Sequence, residues 1–188
     1  MHPLIEAAGR EGDLPEWAEI SKSRRRHVER VAKLMGKWAS DLGLSGEEKR
    51  RWRAAGWLHD AVKDAKNSKL KKLVGEDRWP DSLLHAPAAA ILLERDGVDD
   101  EEFLLAVRFH SVGHRDFGDL GTYLYLADFL EPGRKARARE RAALRAGMPG
   151  SCGDVLPHVI RRRIGTLLGA GQAILPEAVE YWNRVNGA

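Results

Sequence analysis

The stretch Ala54-Ala55-Gly56-Trp57-Leu58-His59-Asp60-Ala61-Val62-Lys63 decides how the rest of the chain is read. It begins as a run of small and apolar residues, the composition of a buried helix, and ends on an imidazole beside a carboxylate. Such a pair makes a poor core, because a buried polar group without a hydrogen bond costs free energy and an unpaired buried charge costs far more. The same pair makes good metal ligands. Neutral imidazoles and carboxylates suit iron, manganese, zinc or nickel, whereas a soft metal takes thiolates. Four more candidate ligands, His27, His85, His110 and Asp128, flank the pair at wide intervals.

Outward from this stretch nearly everything reads as helix. Glu16 to Leu42 carries Trp17, Ile20, Val28, Val31, Leu34, Met35 and Trp38, with a period near 3.6 in its second half. Gly43 stops it. Ser45 caps the next helix, Glu47 and Glu48 favour its N-terminus, and it runs to about Val62. Further helices are expected at Asn67 to Leu73, Leu83 to Glu94, Asp99 to His110, Asp119 to Leu130, Arg134 to Ala146, Asp154 to Leu168 and Glu177 to Arg184. Ser111 to Gly118 reads as loop, and Pro132-Gly133, Pro149-Gly150 and Pro176 punctuate the rest. No alternating strand pattern, internal repeat or low-complexity linker is visible. One all-α domain over residues 1–188 is expected, with a core at about 20–147 and C-terminal helices at about 154–185 packed on it.

Composition excludes several classes. The chain has 188 residues, 43% hydrophobic and 31% charged, which is enough for one buried core and unlike a disordered chain. A single cysteine, Cys152, rules out an internal disulfide framework and a thiolate cluster, and fits a reducing cytoplasm. The N-terminus lacks a basic region followed by an apolar stretch, and no apolar run approaches a bilayer's thickness, so a cytoplasmic protein without membrane contact is expected. The net charge of +3 favours anionic ligands only mildly. The run Arg134-Lys135-Ala136-Arg137-Ala138-Arg139-Glu140-Arg141 reads as a solvated helix face, and no stacking-aromatic motif accompanies it, so nucleic acid is not an expected partner.

Taken singly, each candidate ligand reads more readily as a hydrogen-bonded histidine or a capping carboxylate. Jointly they lie about one helix and one connection apart, so four helices can each bring one or two ligands to a common centre. The segments that hold them are Arg26-His27-Val28-Glu29-Arg30-Val31-Ala32, the His59-Asp60 stretch, Leu83-Leu84-His85-Ala86-Pro87, Val107-Arg108-Phe109-His110-Ser111-Val112-Gly113 and Tyr125-Leu126-Ala127-Asp128-Phe129-Leu130-Glu131-Pro132-Gly133-Arg134. In this order they resemble the HD-domain superfamily of metal-dependent phosphohydrolases, and most closely its bacterial branch of symmetrical diadenosine tetraphosphate hydrolases. The resemblance covers about residues 20 to 185.

The resemblance implies a single HD-domain helical bundle and a hydrolase that cleaves a dinucleoside tetraphosphate to two nucleoside diphosphates with metal-activated water. It implies His27, His59, Asp60 and Asp128 as ligands of one divalent cation, and Asp60, His85 and His110 as ligands of a second, with Asp60 bridging. Iron is the first expectation, with manganese, zinc, nickel or cobalt as alternatives. Asp60 and Lys63 are the expected catalytic residues. Lys63 lies one turn after His59, where it can hold a phosphate or a leaving-group oxygen; otherwise it is a solvated lysine at a helix end. Asp64 would orient Lys63 or a ligand histidine, or lie on the surface.

His114, Arg115 and Arg134 are the remaining substrate-binding candidates. His114 stands where relatives carry arginine, and Ser111 where they carry threonine. His114 reads as a phosphate contact, as exposed loop or, least readily because Gly113 interrupts the helix, as an extra metal ligand. Arg134 could fork onto a phosphate or pair with Glu131. Trp79 is a candidate contact for a purine base. Two other readings stay open: a 5′-nucleotidase-like hydrolase, and a non-catalytic nucleotide- or RNA-binding HD module. An oxygenase related to myo-inositol oxygenase would share the ligand scheme, but the Glu131-Pro132 and Arg134 segment points away from it. The expected partner is a nucleotide substrate, and a homodimer stays open.

Overall fold

The computed structural model describes residues 1–187. Among them the chain forms ten α-helices, one 3-10 turn at Asp81–Leu83 and no strand. The helices are α1 (Pro3–Glu11), α2 (Lys22–Asp41), α3 (Gly46–Leu58), α4 (Asn67–Val74), α5 (His85–Arg95), α6 (Glu101–Phe109), α7 (Asp119–Leu130), α8 (Ala138–Ala146), α9 (Cys152–Gly169) and α10 (Pro176–Val185). The all-α expectation holds. None of these helices is long and apolar enough to cross a membrane.

Local signals start and stop the helices that carry the site. The Ser21 and Ser45 hydroxyls accept from the third backbone N–H of α2 and α3. Asp100 caps α6 in the same way and also receives the Arg51 guanidinium of α3, which ties the two helices together. α7 is the central rod. Leu120, Tyr123, Leu124, Tyr125, Leu126, Ala127 and Leu130 are all buried, as a helix that is apolar all round must be. Small residues let the neighbouring helices come close. A Cβ added at Gly56 of α3 would lie 2.5 Å from the Ala32 Cα of α2, so backbone meets backbone there.

Several boundaries differ from expectation, and each has a physical reason. Pro3–Glu11 is a helix that apolar periodicity did not reveal; its signals were Pro3 at the first helical position and Gly12 in the left-handed region at its end. Glu16 to Ser21 is not helical. Instead Glu19 N–H donates to the Ala61 carbonyl and Asp64 N–H donates to the Glu19 carbonyl, so this segment straps the turn after α3. That strapped turn ends α3 at Leu58 rather than Val62, which leaves His59 as its cap and Asp60 just beyond it. Asp64 accepts from Ser21 N–H at 2.7 Å, so its partner is the start of α2 and not Lys63 or a histidine. The stretch from Arg134 to Arg137 also lies outside a helix; α8 begins only at Ala138.

Gly113, at φ 88°, turns the chain sharply after α6, as expected of a break there, and the Tyr181 ring of α10 packs against it. The close approach at Gly56 gives a direct test. Gly56→Ala is expected to destabilise the chain by about 1–3 kcal/mol through overpacking, read as a lowered urea midpoint. An unchanged midpoint would mean that α2 and α3 separate freely at this crossing.

Candidate metal centre

Each donor arrives on a different piece of this frame. His27 lies on the buried face of α2, His59 caps α3, and Asp60 follows in the strapped turn. His85 opens α5, His110 ends α6 and Asp128 sits in the last turns of α7. None of the six is more than 7% exposed. The Asp60 carboxylate is their meeting point. Its Oδ1 lies 3.2 Å from His85 Nε2 and 3.4 Å from His110 Nε2. Its Oδ2 lies 3.6 Å from His27 Nε2 and 3.7 Å from His59 Nε2. His27, His59 and Asp60 form one group with donor atoms within 4.8 Å of one another, and Asp60, His85 and His110 form a second. Asp128 stands beside the first group, with Oδ1 3.2 Å from His27 Nε2.

The far side of three rings fixes which nitrogen faces Asp60. His59 Nδ1 donates to the Gly56 carbonyl at 2.9 Å and His110 Nδ1 donates to the Val107 carbonyl at 2.8 Å. A carbonyl only accepts, so the proton is on Nδ1 and each Nε2 keeps its lone pair. His27 Nδ1 meets Glu131 Oε1 at 3.2 Å in the same role. Nε2 of His27 and of His59 is buried without a hydrogen bond. Each such orphan costs about 1–3 kcal/mol. Orphaned lone pairs aimed at a shared carboxylate are what a divalent cation satisfies, so the residues present fit a metal.

The electrostatics agree. Burial pushes the His59 imidazole down to about 3, which keeps it neutral at pH 7. Burial also lowers His85. Burial alone would raise Asp60, but the surrounding histidines, His59 first and then His110 and His85, hold it well below the usual carboxylate range. Asp128 is likewise raised by burial and lowered further by Arg134, His27 and Arg163. Burial opposes a charge on His27, yet the carboxylates of Asp128 and Glu131 raise its pKa.

The candidate substrate residues divide. Lys63 reaches the centre: its Nζ lies 3.0 Å from His85 Nδ1 and donates to the Ser82 carbonyl at 3.0 Å. Arg134 also reaches it, but through Asp128, donating to its carbonyl at 2.7 Å and to its Oδ1. Of the two readings of Arg134, the side-chain pair with Glu131 does not form. Glu131 takes Arg30, His27 and the Gly133 N–H instead. His114 lies outside both donor groups; its ring packs on Phe109, with centroids 4.6 Å apart, and its Nδ1 accepts from Asp116 N–H. Arg115 is exposed, and its carbonyl accepts from Arg184. Trp79 is 4% exposed, packed between Phe109 and the Arg78 guanidinium, so its ring is not open to a base.

Two arginines at the centre carried no sequence signal. Arg24 Nη1 donates to Asp60 Oδ2 at 2.8 Å, and Arg163 of α9 donates to Asp128 Oδ2 at 2.9 Å. Both sit in runs of three arginines, Arg24-Arg25-Arg26 and Arg161-Arg162-Arg163, in which nothing in the sequence singles out one residue. A family model described as HD domain matches residues 24–133, more than half of the chain. The chain belongs to the HD domain family.

Relatives within this family extend over most of the chain. It is 28% identical over 159 residues to the symmetrical bis(5′-nucleosyl)-tetraphosphatase of Halalkalibacterium halodurans, covering 78% of this chain and 82% of that one. It is 24% identical over 176 residues to the Staphylococcus aureus protein of the same name, covering 89% of each. A crystal structure from Clostridium acetobutylicum, described as a predicted HD superfamily hydrolase involved in NAD metabolism, shares the fold. Its TM-score is 0.77 at 24% identity, over 89% of this chain and 91% of that one.

The arrangement gives a graded test of metal affinity. Asp60→Ala, which removes the carboxylate common to both donor groups, is expected to lose metal. Glu131→Gln keeps the shape behind His27 and is expected to weaken metal binding by about 10–100-fold. Chelator competition followed by elemental analysis reads both. Full metal retention by Asp60→Ala would remove Asp60 as the shared ligand.

Proposed function

We propose that this HD-domain phosphohydrolase cleaves dinucleoside tetraphosphates symmetrically, releasing two nucleoside diphosphates, with two divalent cations and iron as the first choice. The observation that carries the reading is Asp60, whose two carboxylate oxygens face two different histidine pairs. The names of the long-matching relatives support the same substrate class. His27, His59, Asp60 and Asp128 would hold one cation, and Asp60, His85 and His110 the other. Bound there, such cations draw charge from phosphoryl oxygens and bring the pKa of water toward neutrality.

The chain's own residues do the rest. Asp60 and Asp128 are already ionised, so neither must lose a proton to act as a ligand. His85 has to place its proton on Nδ1 for Nε2 to ligate, and in that tautomer Nδ1 cannot accept from Lys63. Lys63 then keeps its bond to the Ser82 carbonyl and has N–H groups free for a phosphate or a departing phosphate oxygen. Arg24, Arg134 and Arg163 stand on the carboxylates at the rim, where their remaining donors suit the oxygens of a polyphosphate. Because the two ends of the substrate are chemically alike, breaking the central P–O–P bridge, with water adding to one inner phosphorus and the other half leaving as its diphosphate, yields one product twice.

The metal-loaded chain, prepared without oxygen when iron is used, is expected to give ADP as the sole early product from diadenosine tetraphosphate, resolved by chromatography. Chelation is expected to abolish this, and added iron or manganese to restore it. Lys63→Ala is expected to lower kcat by about 10²-fold with its metal content intact. Early AMP with ATP would reject symmetrical cleavage, and turnover of mononucleotides alone would move the assignment to a nucleotidase.

A further inference from the structure

A cavity of about 350 Å³ lies beside the metal centre, between the 3-10 turn, α7, α9 and the segment leading into α10. Leu83, Tyr125, Ile164, Leu167 and Leu175 give it mostly apolar walls. Three polar side chains interrupt them: Ser82, Arg163 and Gln172. Leu83 and Ser82 lie two and three residues before His85, so this wall of the cavity belongs to the segment that leads into a ligand histidine. A small concave site with apolar walls and a few polar groups is the usual form of a small-molecule pocket.

Arg163 joins this cavity to the phosphate side. Its guanidinium lies over the Tyr125 ring, 4.4 Å from the centroid, and donates to Asp128 Oδ2, the Tyr125 carbonyl and the Ser111 carbonyl. The same side chain lines a second hollow of about 290 Å³ with Phe129, Arg134 and Arg141. A single arginine therefore borders both an apolar pocket and a cluster of cations suited to phosphate. Its Nε is fully buried, so what this side chain offers a guest at the cavity wall is the charge of its guanidinium and not that N–H. A purely aliphatic guest would fill the walls and leave the adjoining cluster of Arg134, Arg141 and Arg163 unused. A nucleoside phosphate offers both a flat apolar base and an anionic oxygen a short distance away.

We propose that this cavity is the nucleoside subsite for one end of the substrate, with the base between Leu83, Ile164, Leu167 and Leu175 and Arg163 joining it to the first phosphate. The assignment rests on the nucleotide reading of the centre and adds to it a specificity-determining surface built by the C-terminal helices. Gln172, exposed at the mouth, is the residue placed to meet a base edge.

The test is binding of ADP and of inorganic pyrophosphate to the full manganese-loaded chain, by calorimetry. Ala173→Trp, at an exposed position on the cavity wall, is expected to weaken ADP by about tenfold or more and to leave pyrophosphate within twofold. Ile164→Phe, on α9, repeats the test independently of the loop. Unchanged ADP affinity in both variants, or equal losses for ADP and pyrophosphate, overturns the subsite while the centre's function stands. Absence of ADP binding to the unaltered chain overturns the nucleotide reading itself, and the subsite with it.

Discussion

Everything at the centre depends on one buried carboxylate. Asp60 is withdrawn from water, which by itself would favour its neutral form, and four imidazoles from four elements converge on its two oxygens. Such a group is tolerated only when its surroundings are rigid enough to keep every partner in place. The fold reads as the answer to that demand. Asp100 and Arg51 lock α3 to α6, Gly56 lets α3 lie against α2, and the Glu19 strap holds the turn on which Asp60 stands.

The ligand histidines show how that rigidity becomes chemistry. His59 and His110 each bond a carbonyl three residues earlier, so the end of a helix sets the tautomer of the ring that follows it. Helix termination is thus part of the site. Glu131 performs the same task for His27 from the end of α7.

Much of this could be read from the chain before its structure. The six candidate donors were legible jointly and not singly: the helix-length intervals between them implied convergence, and the segments that hold them resembled one family in order. Asp128 was legible as a site residue, but not the two arginines that hold it. Arg24 and Arg163 belong to basic runs, and only tertiary packing separates an arginine that faces water from one that turns inward. Trp79 misled for the converse reason: an aromatic before a ligand helix looks available until the ring is found under Arg78 and against Phe109. Pro3 and Gly12 did mark α1, but its apolar residues are too few for a period to stand out.

The wedge of Tyr181 against Gly113 has a consequence for synthesis. His110 is made long before α10, yet the turn that follows it is backed by a ring from α10, which also bonds Thr122 of the central helix. A ribosome-bound chain therefore carries all its donors while the wall behind one of them is still missing. The order of translation separates possession of the ligands from their final immobilisation, and the last helix acts as the keystone of an arch whose other stones are already set.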